Sequence, residues 1–148
     1  MEKFKNYING EWVDAVSGKT FLNYNPANLK DIIGEFALSD KADVDNALKA
    51  AKDAFEMWRL VPAPKRGDIM RKVGDIFTRR KVELARIMKR EMGKPTFETE
   101  GDVQEAIDTA YYAASETRRL FGNTVPSEMN NKMNLSFRTP IGVVGVIT

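Results

Sequence analysis

Apolar and polar positions change period several times along this chain, and each change predicts an element. Tyr7-Ile-Asn-Gly-Glu-Trp-Val13 sets Asn9-Gly10 between short apolar flanks, the strongest short-range signal for a hairpin. Residues 21–24 and 32–37 read as a second strand pair joined through Asn25-Pro26-Ala27-Asn28. From Ser39-Asp40, which predicts an N-terminal cap, the period becomes helical. Val44, Ala47, Leu48, Ala51, Phe55 and Trp58 then form one apolar stripe. A second helix is expected from about Pro64, with Ile69, Val73, Ile76 and Phe77 on one face. A third runs from about Arg80, carries Leu84, Ala85, Ile87 and Met88, and stops at Gly93. A fourth is expected from Thr96 to Phe121, burying Val103, Ala106, Ile107, Ala110 and Ala114.

Beyond Val125-Pro126 the pattern alternates. Met133, Leu135 and Phe137 face one way, and Lys132, Asn134, Ser136 and Arg138 face the other, predicting a half-buried edge strand. An edge of this kind needs cover or pairing, so 132–138 is expected to contact another copy of the chain. The last residues, Pro140-Ile-Gly-Val-Val-Gly-Val-Ile-Thr148, are apolar on both faces and suit a central strand of a parallel sheet. Ile141, Val143, Val144, Val146 and Ile147 would each gain roughly 1.5–3 kcal/mol on full burial. Such a strand implies a sheet lying mostly outside these 148 residues.

Composition narrows the chemistry more than it suggests it. The chain has neither cysteine nor histidine, which removes disulfides, thiol nucleophiles, thiolate metal sites and the commonest general base. Its net charge of +2 is too small to argue for nucleic acid. The stretch 65–94 does hold eleven basic residues against four acidic ones. Residues 98–116 answer with six acids and no base, so matching between helices is expected to absorb much of the imbalance. No aromatic interleaving supports base stacking, and a nucleic-acid role is not expected. The N-terminus lacks an apolar leader and no apolar run approaches 18 residues, so no membrane role and a cytoplasmic location are expected. Gly142-Val-Val-Gly145 is not followed by a glycine-rich turn and helix, and its glycines suit close packing. Tyr111, Tyr112, Trp12 and Trp58 read as core and interface residues.

Several segments together resemble the N-terminal third of the NAD(P)-dependent aldehyde dehydrogenase superfamily. They are Tyr7-Ile-Asn-Gly-Glu-Trp12, Asn25-Pro26-Ala-Asn, the run from Asp43 to Phe55, Lys65-Arg66, Met92-Gly-Lys-Pro95, Tyr111-Tyr112-Ala113 and the run from Thr139 to Thr148. They follow the family's order and spacing over essentially the whole chain.

The resemblance implies an α/β fold made of small β-hairpins, about four helices, a strand of an oligomerisation element and the first strand of a Rossmann-type sheet. Residues 1–121 would form the N-terminal part of the cofactor-binding domain, 122–139 the oligomerisation element and 140–148 the truncated first sheet strand. It further implies NAD or NADP, with Ile147 and Thr148 as the cofactor contacts within the chain. A structural sodium or potassium ion, as in some members, would fall at Asn23, Tyr24 and Glu91, although those members carry Asp where this chain has Glu91. Gln104 and Asp108 map near the aldehyde entrance. The family's oxyanion asparagine, glutamate base and nucleophilic cysteine all map beyond Thr148, so no catalytic residue is expected here. The stretch 127–134 is similar to branches acting on semialdehydes such as 2-oxoglutarate semialdehyde.

Two readings follow. In the first, the parent oxidises an aldehyde to a carboxylate through a cysteine thioester, and the 148 residues alone are inactive. In the second, a non-enzymatic oligomerisation module reuses the fold. In either case helices shaped to cover a missing sheet predict a chain that is molten or self-associated in isolation.

Overall fold

The computed structural model describes residues 1–148 and contains seven short strands and four helices. In order these are β1 (Lys3–Phe4), β2 (Asn6–Ile8), β3 (Glu11–Val13), β4 (Thr20–Asn25), β5 (Asn28–Ala37), α1 (Lys41–Trp58), α2 (Ala63–Arg79), α3 (Lys81–Met92), α4 (Thr96–Glu116), β6 (Thr124–Pro126) and β7 (Met133–Leu135). The predicted hairpins are present. β2 and β3 pair antiparallel around Asn9 and Gly10, whose φ values of 53° and 84° are the double left-handed geometry that an Asn-Gly turn supplies. β4 and β5 pair antiparallel across the Asn25–Asn28 turn, and β1 adds parallel to the other edge of β5.

α1 begins where its cap predicts. The Ala42 N–H donates to Asp40 Oδ1 at 2.8 Å, and the Asp40 N–H donates to Asp43 Oδ2 at 3.0 Å. Asp43, 3% exposed, also accepts the Val16 N–H at 2.9 Å, so one buried carboxyl group satisfies two backbone donors and ties the helix to the segment before β4.

The core lies among the other helices. Ala85 of α3 packs with Val103 and Ile107 of α4, and Phe77, Leu84 and Met88 close over them. α2 makes its most extensive contacts with α4, along a seam of very small residues. A Cβ on Gly67 would overlap Thr117 Oγ1 and lie 2.8 Å from the Ala114 carbonyl oxygen. One on Gly74 would lie 2.9 Å from the Tyr111 ring. Both glycines are buried, and their missing side chains let the two helices approach closely.

Four expectations need correction. α4 ends at Glu116, not Phe121. Thr117 turns its hydroxyl back to the Ala114 carbonyl at 2.7 Å, and Leu120 and Phe121 beyond it find no packing that would extend the helix. The edge strand over 132–138 shortens to β7 and is exposed throughout, because its partner β6 is equally exposed and no layer covers the pair. The run 140–148 forms no strand; no strand of this chain pairs with it, and a ladder needs a partner. Trp12, Trp58 and Tyr112 are exposed rather than core, while Tyr111 lays its ring against Gly74 and donates its hydroxyl to Asp75 Oδ1 at 2.8 Å.

Val44, Leu48 and Trp58 of the α1 stripe, and Ile69 and Ile76 of α2, are likewise uncovered. The accessible surface is 11751 Å², against about 7,600 Å² for a compact monomer of 16.7 kDa. The excess is several times the roughly 800 Å² that each partner gives to a standard interface.

The seam makes two opposite predictions for the same substitution in the intact protein. Gly101, exposed in α4 with nothing near its missing Cβ, should tolerate alanine, with a gain of about 0.5–1 kcal/mol from backbone entropy. Gly67→Ala should instead cost about 1–2 kcal/mol net, because the overlap exceeds the helix-propensity gain. Denaturant midpoints of the two variants check this; a stabilising Gly67→Ala would contradict the seam.

Candidate functional site

The chain's most developed polar constellation lies where the end of α3 meets the β4–β5 turn. Gly93 caps α3 in the left-handed conformation, φ 70°, and sits so close to the turn that a Cβ would lie 3.1 Å from Pro26 Cγ and 3.2 Å from the Ala27 nitrogen. That approach brings Arg90 onto β5. Its Nε donates to Asp31 Oδ2 at 2.9 Å, and its Nη2 donates to Asp31 Oδ1 at 2.5 Å and to the Ile32 carbonyl at 2.8 Å. Asn25 Nδ2 adds a bond to Asp31 Oδ2 at 3.1 Å. The forked guanidinium, seconded by the Asn25 amide, holds the Asp31 carboxyl down at a pKa of about 2 against an ordinary 3.8.

A cleft of about 320 Å³ opens beside this clamp. Asn25, Ala27 and Gly93 form one part of its wall; Arg86, Lys89, Arg90 and Lys94 form the rest. Lys94 Nζ donates to Asp102 Oδ2 of α4 at 2.7 Å, and Lys89 Nζ to Thr96 Oγ1 at 2.9 Å. Asp102 raises the Lys94 pKa through that bond. This is the one ion pair between 65–94 and the acidic face of α4; of the other basic residues of that stretch that pair, Arg71 and Arg80 do so locally with Asp75 and Glu83, and Arg90 reaches Asp31 of β5. The expected charge matching between helices is therefore largely absent.

The residues expected from sequence fall in three places. Asn23 and Tyr24 sit on β4, opposite Gly34 and Ile32 of β5, at a register shift in the pairing. Glu91 lies in the last turn of α3, exposed and without a hydrogen bond, although α3 packs against β4. No group of three or more carboxylate, histidine or cysteine side chains is placed to hold a metal ion. Gln104 and Asp108 are joined on α4, with Gln104 Nε2 donating to Asp108 Oδ1 at 3.0 Å. Lys81 Nζ joins them through Gln104 Oε1 at 2.8 Å, a residue that sequence reasoning missed. Ile147 and Thr148 project from the exposed terminal run, with Ile147 fully accessible. They have no packed wall around them.

The Arg90–Asp31 clamp was also missed, because its partners are 59 positions apart and neither residue stands in a recognisable motif. A weak signal existed: Asn25-Pro26 and Gly93-Lys94-Pro95 are both turn sequences, and they are what meet.

With this arrangement of hairpins, four helices and a trailing two-stranded arm, the chain has a mixed α/β fold. Residues 12–148 match the model of the aldehyde dehydrogenase family. The chain belongs to that family. It is 40% identical over 144 residues to aldehyde dehydrogenase family 7 member A1 of Brassica napus, covering 97% of this chain and 29% of that protein. It is 38% identical over 145 residues to the alpha-ketoglutaric semialdehyde dehydrogenase of Bacillus subtilis, covering 98% of this chain and 30% of that protein. Among solved structures it is similar to an NAD-dependent aldehyde dehydrogenase from Sinorhizobium meliloti, with a TM-score of 0.83 and 30% identity over 90% of this chain and 27% of the other. The chain thus spans about 30% of the length of the curated relatives it matches.

Because the Asp31 pKa is depressed in the folded state, the clamp's contribution is present above the ordinary carboxylate pKa and is lost as pH falls through about 2. A carboxyl NMR titration should place Asp31 near that value, and Arg90→Gln should return it toward the ordinary range. An Asp31 that titrates near 4 in the unaltered protein would contradict the geometry.

Proposed function

We propose that this chain is the N-terminal portion of an NAD(P)-dependent aldehyde dehydrogenase acting on an aldehyde or semialdehyde. The observation that carries this reading is the family match over 12–148, combined with coverage of only about 30% of relatives of this name. The uncovered faces of α1 and α2 support it physically. Exposed Val44, Leu48, Trp58, Ile69 and Ile76 give them the apolar character of surfaces suited to packing against further chain.

In this reading a cysteine thiol would add to the aldehyde, a bound NAD or NADP would supply the hydride acceptor, and water would hydrolyse the resulting thioester to the carboxylate and free the thiol. The 148 residues contain no cysteine, so the nucleophile lies outside them. Their own contribution is scaffolding. The α2–α3–α4 core presents a face to the cofactor domain, and residues 140–148 supply a strand once a neighbouring strand offers a ladder. The arm spanning 122–139 meets a second copy through 132–138, where Met133, Leu135 and Phe137 are exposed. A sodium or potassium position at Asn23, Tyr24 and Glu91 belongs to the same reading, supported by the packing of α3 against β4. No helix of the chain is long and apolar enough to cross a membrane.

The test compares two samples of verified intact mass. The protein encoded by the complete reading frame should reduce NAD or NADP in the presence of a semialdehyde, and mutation of its active cysteine should abolish this. The 148-residue chain should show no such activity. Aldehyde oxidation by the short chain, or none by the complete product across aldehydes and both cofactors, would overturn the reading.

A further inference from the structure

The basic cleft at the end of α3 holds more positive charge than its own contacts use. Of the four cations around it, Arg90 is engaged by Asp31 and Lys94 by Asp102. Arg86 has no hydrogen-bond or ion-pair partner, and Lys89 reaches only the neutral hydroxyl of Thr96. Arg86 and Lys89 are three positions apart on one helix and therefore share a face. We propose that this cleft binds a small phosphate-bearing anion, held by Arg86 and Lys89 with the Asn25 amide on the opposite wall.

Carboxylates stand around the cleft as well: Asp31 and Glu2 act on Arg90, and Asp102, Glu98 and Glu105 act on Lys94. The carbonyl end of α3 contributes about half a unit of negative charge. Glu91 is exposed on the same turn and does not line the cleft. Arg86 and Lys89 are the two cations of the lining that no carboxylate engages directly. The clamp keeps Asp31 from competing, because both of its oxygens already accept bonds from Arg90. The Gly93 contact with the β4–β5 turn fixes the two walls relative to each other, so the cations and the amide are positioned before any ligand arrives. A tetrahedral oxyanion offers several acceptors for the Arg86 fork and the Lys89 ammonium at once, which a halide cannot do.

The test uses inorganic phosphate as the probe on the intact protein, by calorimetric titration at ionic strength held constant with chloride. The expected result is saturable binding on the order of millimolar, unchanged by saturating NAD. Arg86→Gln/Lys89→Gln should weaken it roughly tenfold or more while leaving the circular dichroism spectrum intact. Both side chains are exposed or bound only to a hydroxyl, so the double variant should fold. A second variant, Lys65→Gln/Lys72→Gln on α2, removes the same charge away from the cleft and should bind as before. Three results would overturn the proposal: no saturation beyond the chloride control, displacement of phosphate by NAD, or equal weakening by the two variants. None of them depends on whether the protein oxidises aldehydes.

Discussion

The close approach of α2 to α4 is the constraint on which the rest of this structure depends. It is possible because Gly67 and Gly74 present no side chain where Thr117, the Ala114 carbonyl and the Tyr111 ring sit. With α2 seated, Phe77 reaches the small cluster of Ala85, Val103 and Ile107, and α3 is held against α4. α3 in turn carries Arg90 to Asp31, which anchors the β4–β5 sheet to the helices. The N-terminal hairpin and α1 are joined more lightly, through the Asp43 carboxyl and an Asn6–Ser39 side-chain pair. Stability therefore falls from the helical seam outward, and the parts farthest from it are those whose apolar faces stand open.

How much of this was legible in the sequence depends on the range of the interaction. Local chemistry read well. The Asn9-Gly10 turn, the Asp40 cap, the proline start of α2 and the Gly93 stop all act within a few residues, and all are present. The face of α4 bearing Val103, Ile107 and Ala110 was equally visible, because periodicity reports which side is buried without naming the partner. Distant partnerships were not visible. Nothing in the local sequence links Arg90 to Asp31 or Lys81 to Gln104.

The open surfaces share one cause. An apolar pattern says that a surface is made to be buried; the terminal run implies a sheet mostly outside these residues, and the 132–138 strand implies a contact with another copy. Within these 148 residues they are open. The pattern describes a larger body than this chain provides. That is consistent with a chain matching about 30% of its relatives' length. The same argument explains the candidate site. The residues mapped to cofactor contact, Ile147 and Thr148, sit on the exposed terminal run, while the polar cleft lies where α3 meets the β4–β5 turn.

The central claim is that this chain folds cooperatively only when further polypeptide covers it. Scanning calorimetry of the dilute 148-residue chain, with its mass verified and its association state followed by sedimentation, tests that claim most directly. The account predicts a broad, weak transition or concentration-dependent association, with the sharp transition appearing only in the intact protein. A single sharp transition from a dilute monomer, with a calorimetric enthalpy equal to the van't Hoff value, would contradict it.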